Sequence, residues 1–153
     1  MSTTAKQLAK VVQLDPREAA AELAAAQREG SAWLDEFAEH LDRYRAGQSL
    51  ARTLAVWGLS QSQLAEFCGV SRQAVSKWLE QGVPAERTEP LADLAAATDL
   101  LVHYLQRDRI PAVVRRAVAA LGNRSLLDLL AAGETRLLLQ SCRDMFDFQR
   151  VQG

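Results

Sequence analysis

Lysine is scarce in this chain: of its eighteen basic side chains only Lys6, Lys10 and Lys77 are lysines. Charge of either sign is not in excess, since nineteen acidic residues bring the formal net charge to -1. A nucleic-acid partner is therefore not announced by the chain as a whole and would need a local basic face. Two cysteines, Cys68 and Cys142, are too few for a disulfide framework. Cys68 falls where a helix would pack inward, and both features fit a reducing, cytoplasmic setting. No run approaches eighteen apolar residues, and residues 1–14 lack the apolar stretch of a secretion signal, so no membrane span or export is expected. Cys-x-x-Cys spacing, a glycine-rich phosphate loop and a nucleophile elbow are all missing. The two histidines have no cysteine or carboxylate at a metal spacing. His40 follows Glu39 on a polar helix face and reads as surface, and His103 beside Tyr104 reads as packing or surface. No metal, no cofactor and no enzymatic activity are expected.

Sustained strand-type alternation is absent too, and helical spacing runs nearly throughout. With 153 residues, 48% of them hydrophobic, the chain suffices for one helical domain or two small ones. In "LDPREAAAELAAAQREG" Asp15 caps, Pro16 takes the first helical position, Glu18 the third, and Gly30 stops the helix. Ser31 starts a second helix, with Trp33, Leu34, Phe37 and Leu41 on one face, ending near Gly47. The acidic side chains of this pair read as a solvated face, with a dimer contact as the alternative. Residues 1–48 carry six basic and eight acidic side chains. "SLARTLAVWG", residues 49–58, makes a short apolar helix. Pro84 to Pro90 reads as a polar connection. A long helix follows, with Leu91, Leu94, Ala95, Thr98, Val102 and Leu105 along one side. Pro111 opens a helix over 112–121 that ends at the turn pair Gly122-Asn123. In "SLLDLLAAG" Ser125 caps, Asp128 answers at the third position and Gly133 closes. The last helix runs from about Glu134 to Phe146, with Leu138, Cys142 and Met145 in register.

The stretch that carries chemistry is "LSQSQLAEFCGVSRQAVSKWLEQG". Leu64 and Ala65 give the first helix an apolar face and a small residue for close helix approach. Gly69 permits the positive φ of a three-residue corner, and Val70 plugs the angle. Ser71 caps the second helix, Val75, Trp78 and Leu79 anchor it, and Gly82 ends it. Arg72, Gln73 and Lys77 are left on its outer face. This is the sequence form of a helix-turn-helix.

The whole motif resembles the Cro/C1 (Xre) family. That family's usual glutamate near the end of the second helix is shifted or replaced, since "SKWLEQG" places Leu79 before Glu80. The resemblance implies base contacts from Arg72, Gln73 and Lys77, and phosphate or water contacts from Gln61, Ser71 and Ser76. The chemistry agrees: arginine reads guanine and glutamine reads adenine bidentately, and a helix enters the major groove by its N-terminal residues. Residues 49–82 hold only three basic and two acidic side chains. One copy would bind feebly, so a homodimer on a two-fold operator in double-stranded DNA is expected.

Residues 111–153 exceed what a helix-turn-helix needs. Around "LGNRSLLDLLAAG", Leu121 to Gly133, they resemble the small toxin-binding domain of Xre/MbcA/ParS-type antitoxins. In that family the domain docks on a toxin, often of the RES type that consumes NAD, and the helix-turn-helix binds the operon's own promoter. Read from the residues alone, Leu126, Leu127, Leu129 and Leu130 are too many apolar positions for one face of a short helix. Together with Phe146 and Phe148 they mark either an internal core with a dimer seam or an interface with a partner. Arg115, Arg116 and Arg124 form a basic rim or simple solvated surface.

The expectation is an all-α chain: helices of unassigned role over 1–48, a helix-turn-helix DNA-binding domain over 49–108, and a small C-terminal helical domain over 111–153 for toxin binding or dimerisation. Three readings stay open: a repressor that is also the antitoxin of a toxin–antitoxin pair, a stand-alone Xre-type transcriptional regulator, and a helical adaptor without DNA binding.

Overall fold

The computed structural model describes residues 12–30 and 32–152, with side chains as far as Asp147. Ser31 and the side chain of Phe148 lie outside the described residues. Among the described residues eight α-helices follow in order: α1 Pro16–Arg28, α2 Ala32–Trp57, α3 Gln61–Cys68, α4 Arg72–Gln81, α5 Ala85–Tyr104, α6 Ile110–Arg115, α7 Leu126–Ala131 and α8 Thr135–Gln152. Two 3₁₀ turns, Arg107–Arg109 and Ala119–Leu121, flank α6. No strand forms among the described residues, and the chain is all-α as expected.

The chain divides into two compact units, the first ending at Asp42 and the second running from Arg43 to Gly153. In the first unit Asp15 caps α1 by accepting from the Arg17 and Glu18 amides at 2.8 and 3.2 Å, with Pro16 next in line. Leu34 is buried, whereas Trp33, Phe37 and Leu41 are exposed, the first two with rings stacked 5.3 Å apart. The acidic side chains from Asp15 to Asp42 are all exposed.

In the second unit a single hydrophobic cluster extends from Leu50 to Phe146, so the helix-turn-helix and the C-terminal helices share one core. α5 lies along α8, while α7 sits between α3, α6 and α8. Trp57, fully buried, donates from Nε1 to the Thr98 hydroxyl at 3.0 Å, and Thr53 lies 3.3 Å from the same oxygen. A buried indole N–H is thereby satisfied, which fixes α2 against α5.

Four expectations are corrected. Gly47 does not end a helix, because α2 continues from Ala32 to Trp57. Its lack of a side chain serves close approach instead: a Cβ there would stand 2.7 Å from the Trp78 carbonyl oxygen. The 84–90 connection is helical, with Pro84 as N-cap and Pro90 inside α5. Pro90 forfeits one bond to the Glu86 carbonyl, and that exposed turn leaves the carbonyl to water. The side of α5 that buries is Leu91, Leu94, Ala97, Thr98 and Leu101, while Ala95, Val102 and Leu105 are half-buried. Finally, the 112–121 helix breaks at Arg116, which is extended, and Val118 pairs with Arg124 across a turn made by Gly122 and Asn123, both at positive φ.

Candidate nucleic-acid interface

α3 begins with a capping box. Ser60 accepts from the Gln63 amide at 3.1 Å, and the Gln63 side chain accepts from the Ser60 amide at 2.9 Å. The signal was present in the sequence as Ser-x-x-Gln, and it gives Gln63 a role that the motif reading passed over. α3 ends at Gly69, whose φ of 65° lets the Val70 amide return to the Ala65 carbonyl at 3.0 Å. Ser71 then caps α4 by accepting from the Ala74 amide at 3.1 Å.

Val75 and Trp78 are buried, and Leu79 is half-buried, so the anchors of α4 are as expected. Behind it, α2 holds the helix through backbone. The Val83 amide donates to the Arg43 carbonyl at 3.2 Å. A Cβ on Gly82 would meet the Arg43 backbone at 2.8 Å, matching the close approach at Gly47.

Arg72, Gln73 and Lys77 all stand exposed on α4. Helical geometry puts Gln73 and Lys77, four residues apart, on one face with Arg72 at its edge. None of the three side chains makes a hydrogen bond or ion pair with the described residues. Glu80 is exposed one turn beyond Lys77, so the positive end of the face is the N-terminal one. Gln61 is half-buried at the first position of α3, where backbone N–H groups lack helical partners and attract anions. Ser71 is exposed and keeps its O–H for an acceptor while its oxygen caps; Ser76 is half-buried.

The other expected site residues lie elsewhere. Leu126, Leu130 and Phe146 are buried in the chain's own core, Phe146 stacked on Tyr104 at 4.5 Å, and Leu127 is half-buried. Leu126 and Leu130 are packed where α7 meets α3, α6 and α8, and Phe146 packs on α5, so none of these three is exposed on the chain. Arg115 is not idle surface: it donates to the carbonyls of Trp57, Gly58 and Pro111 at 2.9, 3.0 and 2.7 Å, capping the C-terminus of α2. Arg124 donates to the Leu121 carbonyl at 3.2 Å and pairs with Glu134.

Cys68 and Cys142 are free thiols. Burial pushes the Cys142 thiol up to about 12. Burial raises the Cys68 thiol too, with the Arg87 charge pulling it partly back. Among the described residues no group of three or more His, Cys, Asp or Glu side chains is disposed to hold a metal, and no helix is long and apolar enough to cross a membrane.

Residues 58–84 match the helix-turn-helix family, of the Xre or Cro/C1 type. Among solved structures, a chain of the M. tuberculosis MbcT–MbcA toxin–antitoxin complex aligns with a TM-score of 0.55 at 22% identity, covering 66% of this chain and 93% of that one. At that identity the likeness is one of fold. Comparison with curated proteins gives no match.

Proposed function

We propose that this chain is a sequence-specific, cytoplasmic DNA-binding transcriptional regulator whose α4 reads base edges in the major groove. The observation that carries the reading is the outer face of α4: Arg72, Gln73 and Lys77 are exposed and unengaged on a helix that is capped, anchored and buttressed behind. Arg72 and Gln73 take the base contacts, with Lys77 behind them, and Gln61, Ser71 and Ser76 contact phosphate or water. Residues 49–82 carry little net positive charge, so two copies act together on a two-fold operator.

The finer reading is that the protein is the antitoxin and autorepressor of a toxin–antitoxin pair, with a toxin of RES type as its partner. Its support is the fold shared with a chain of the MbcT–MbcA complex, together with the helix-turn-helix. A second reading, a stand-alone regulator, is kept on one observation: Leu126, Leu130 and Phe146, read from sequence as either a partner or a dimer interface, are buried in the chain's own core and offer a toxin no exposed apolar surface at those three positions. Co-expression with the adjacent reading frame separates the two. Co-purification, with growth arrest when the neighbour is expressed alone, supports the antitoxin. No complex and no arrest leaves the regulator.

A further inference from the structure

Where the corner of the helix-turn-helix meets the start of α5 and the end of α7 there is a cavity of about 410 Å³. Its walls include Phe67, Trp78, Leu91 and Leu130, and Cys68 and Arg87 also line it. Arg87 is half-buried, donates once to the Cys68 carbonyl at 3.2 Å, and lies 5.7 Å from the centre of the Trp78 ring. Among the described residues no carboxylate pairs with it. Glu66 is at the rim and exposed. A guanidinium presents five donors in a planar fork, and one bond leaves most of them unspent in a place where water is partly excluded. A carboxylate is the group that answers that fork in two parallel bonds, and the aromatic and leucine walls ask for a flat apolar body behind it.

We propose that this cavity binds a small monocarboxylate with a flat apolar body, its carboxylate on Arg87 and its body between Trp78, Phe67 and Leu130. The volume lies at the small end of the roughly 300–1,000 Å³ range of ligand pockets, which suits one compact molecule rather than a peptide. Binding at this place does not depend on the DNA reading. Should both hold, the occupant presses on Trp78, the inner anchor of α4, and links a metabolite to the operator.

Cys68 supplies a built-in reporter, because the other thiol, Cys142, is buried. The test measures the rate of Cys68 labelling by a disulfide reagent on the full chain, with 1-naphthoate and its uncharged isostere 1-naphthamide as probes, and titration calorimetry beside it. The expected result is that naphthoate slows labelling and binds about tenfold or more tightly than naphthamide, the size of one charge-assisted hydrogen bond. Arg87→Gln abolishes that difference and Arg87→Lys retains part of it, both with the wild-type melting profile. Equal protection by the two probes, no protection by either, or an advantage for naphthoate that survives in Arg87→Gln overturns the proposal. Arg87→Lys also decides if Arg87→Gln fails to fold.

Discussion

At Gly47 a single missing methyl group decides how two helices meet. Glycine inside a helix ordinarily costs about 0.5–1 kcal/mol relative to alanine. Here a Cβ would stand 2.7 Å from the backbone oxygen of Trp78, which is too close for any real contact. Gly47→Ala is therefore expected to destabilise by about 1–3 kcal/mol, against its usual sign, as overpacking does. Urea unfolding checks it, and a more stable variant would contradict the close approach. From sequence, this glycine was indistinguishable from a helix stop, because both uses need the same residue and the difference lies in a partner 31 positions away. Gly69 was legible, since its neighbours Val70 and Ser71 spell out the corner locally. Asp128 shows the same locality. It closes a capping box on Ser125, and the Ser125 amide and hydroxyl hold its carboxyl below the ordinary aspartate value. Its contribution is present above that value and fades as pH falls through the lowered folded value. Asp128→Asn should flatten part of the acid limb of a stability–pH curve, and an unchanged limb would leave the box without weight.

Among the elements, α7 is the one whose composition left two readings open. Four leucines in six residues fit an internal core or an interface, and in the structure α7 packs against α3, α6 and α8 with Leu126, Leu129 and Leu130 buried. Leu126→Ala should cost about 2–5 kcal/mol of stability, as a cavity in a packed core does. The alternative, an interface leucine, would weaken assembly and leave the unfolding of the single chain nearly unchanged. Leu126, Leu129 and Leu130 make one buried face while Asp128 and Ala131 stay exposed; periodicity marks such a face but not which helices of the chain, or of a partner, cover it. α2 carries a second test. Arg115 reaches the Trp57 and Gly58 carbonyls from 58 and 57 residues away, so Arg115→Ala should lower stability by about 1 kcal/mol. The caps of α1, α4 and α7 were legible in advance because a cap is a contact within three residues. Pro90 inside α5 and the break at Arg116 were not, because tertiary packing overrode the local signals.

Across the whole molecule, a net charge of -1 leaves DNA binding to a small number of well-placed groups. Such an interface would neutralise few phosphates per copy, so a modest affinity and a shallow salt dependence are expected. Lys77→Ala should reduce the slope of log affinity against log salt by about one if Lys77 contacts phosphate, and relax base preference instead if it reads a base. One core runs from Leu50 to Phe146, which packs α4 and the C-terminal helices into the same compact unit. That continuity was not visible in the sequence, where two resemblances lie end to end. The account turns on whether α4 reads DNA, and the direct measurement is selection from a random double-stranded DNA pool with the wild type and with Arg72→Ala/Gln73→Ala. The account predicts that the wild type enriches a two-fold sequence, and that the double variant enriches none while keeping the wild-type melting profile. Enrichment of the same sequence by the double variant would contradict it.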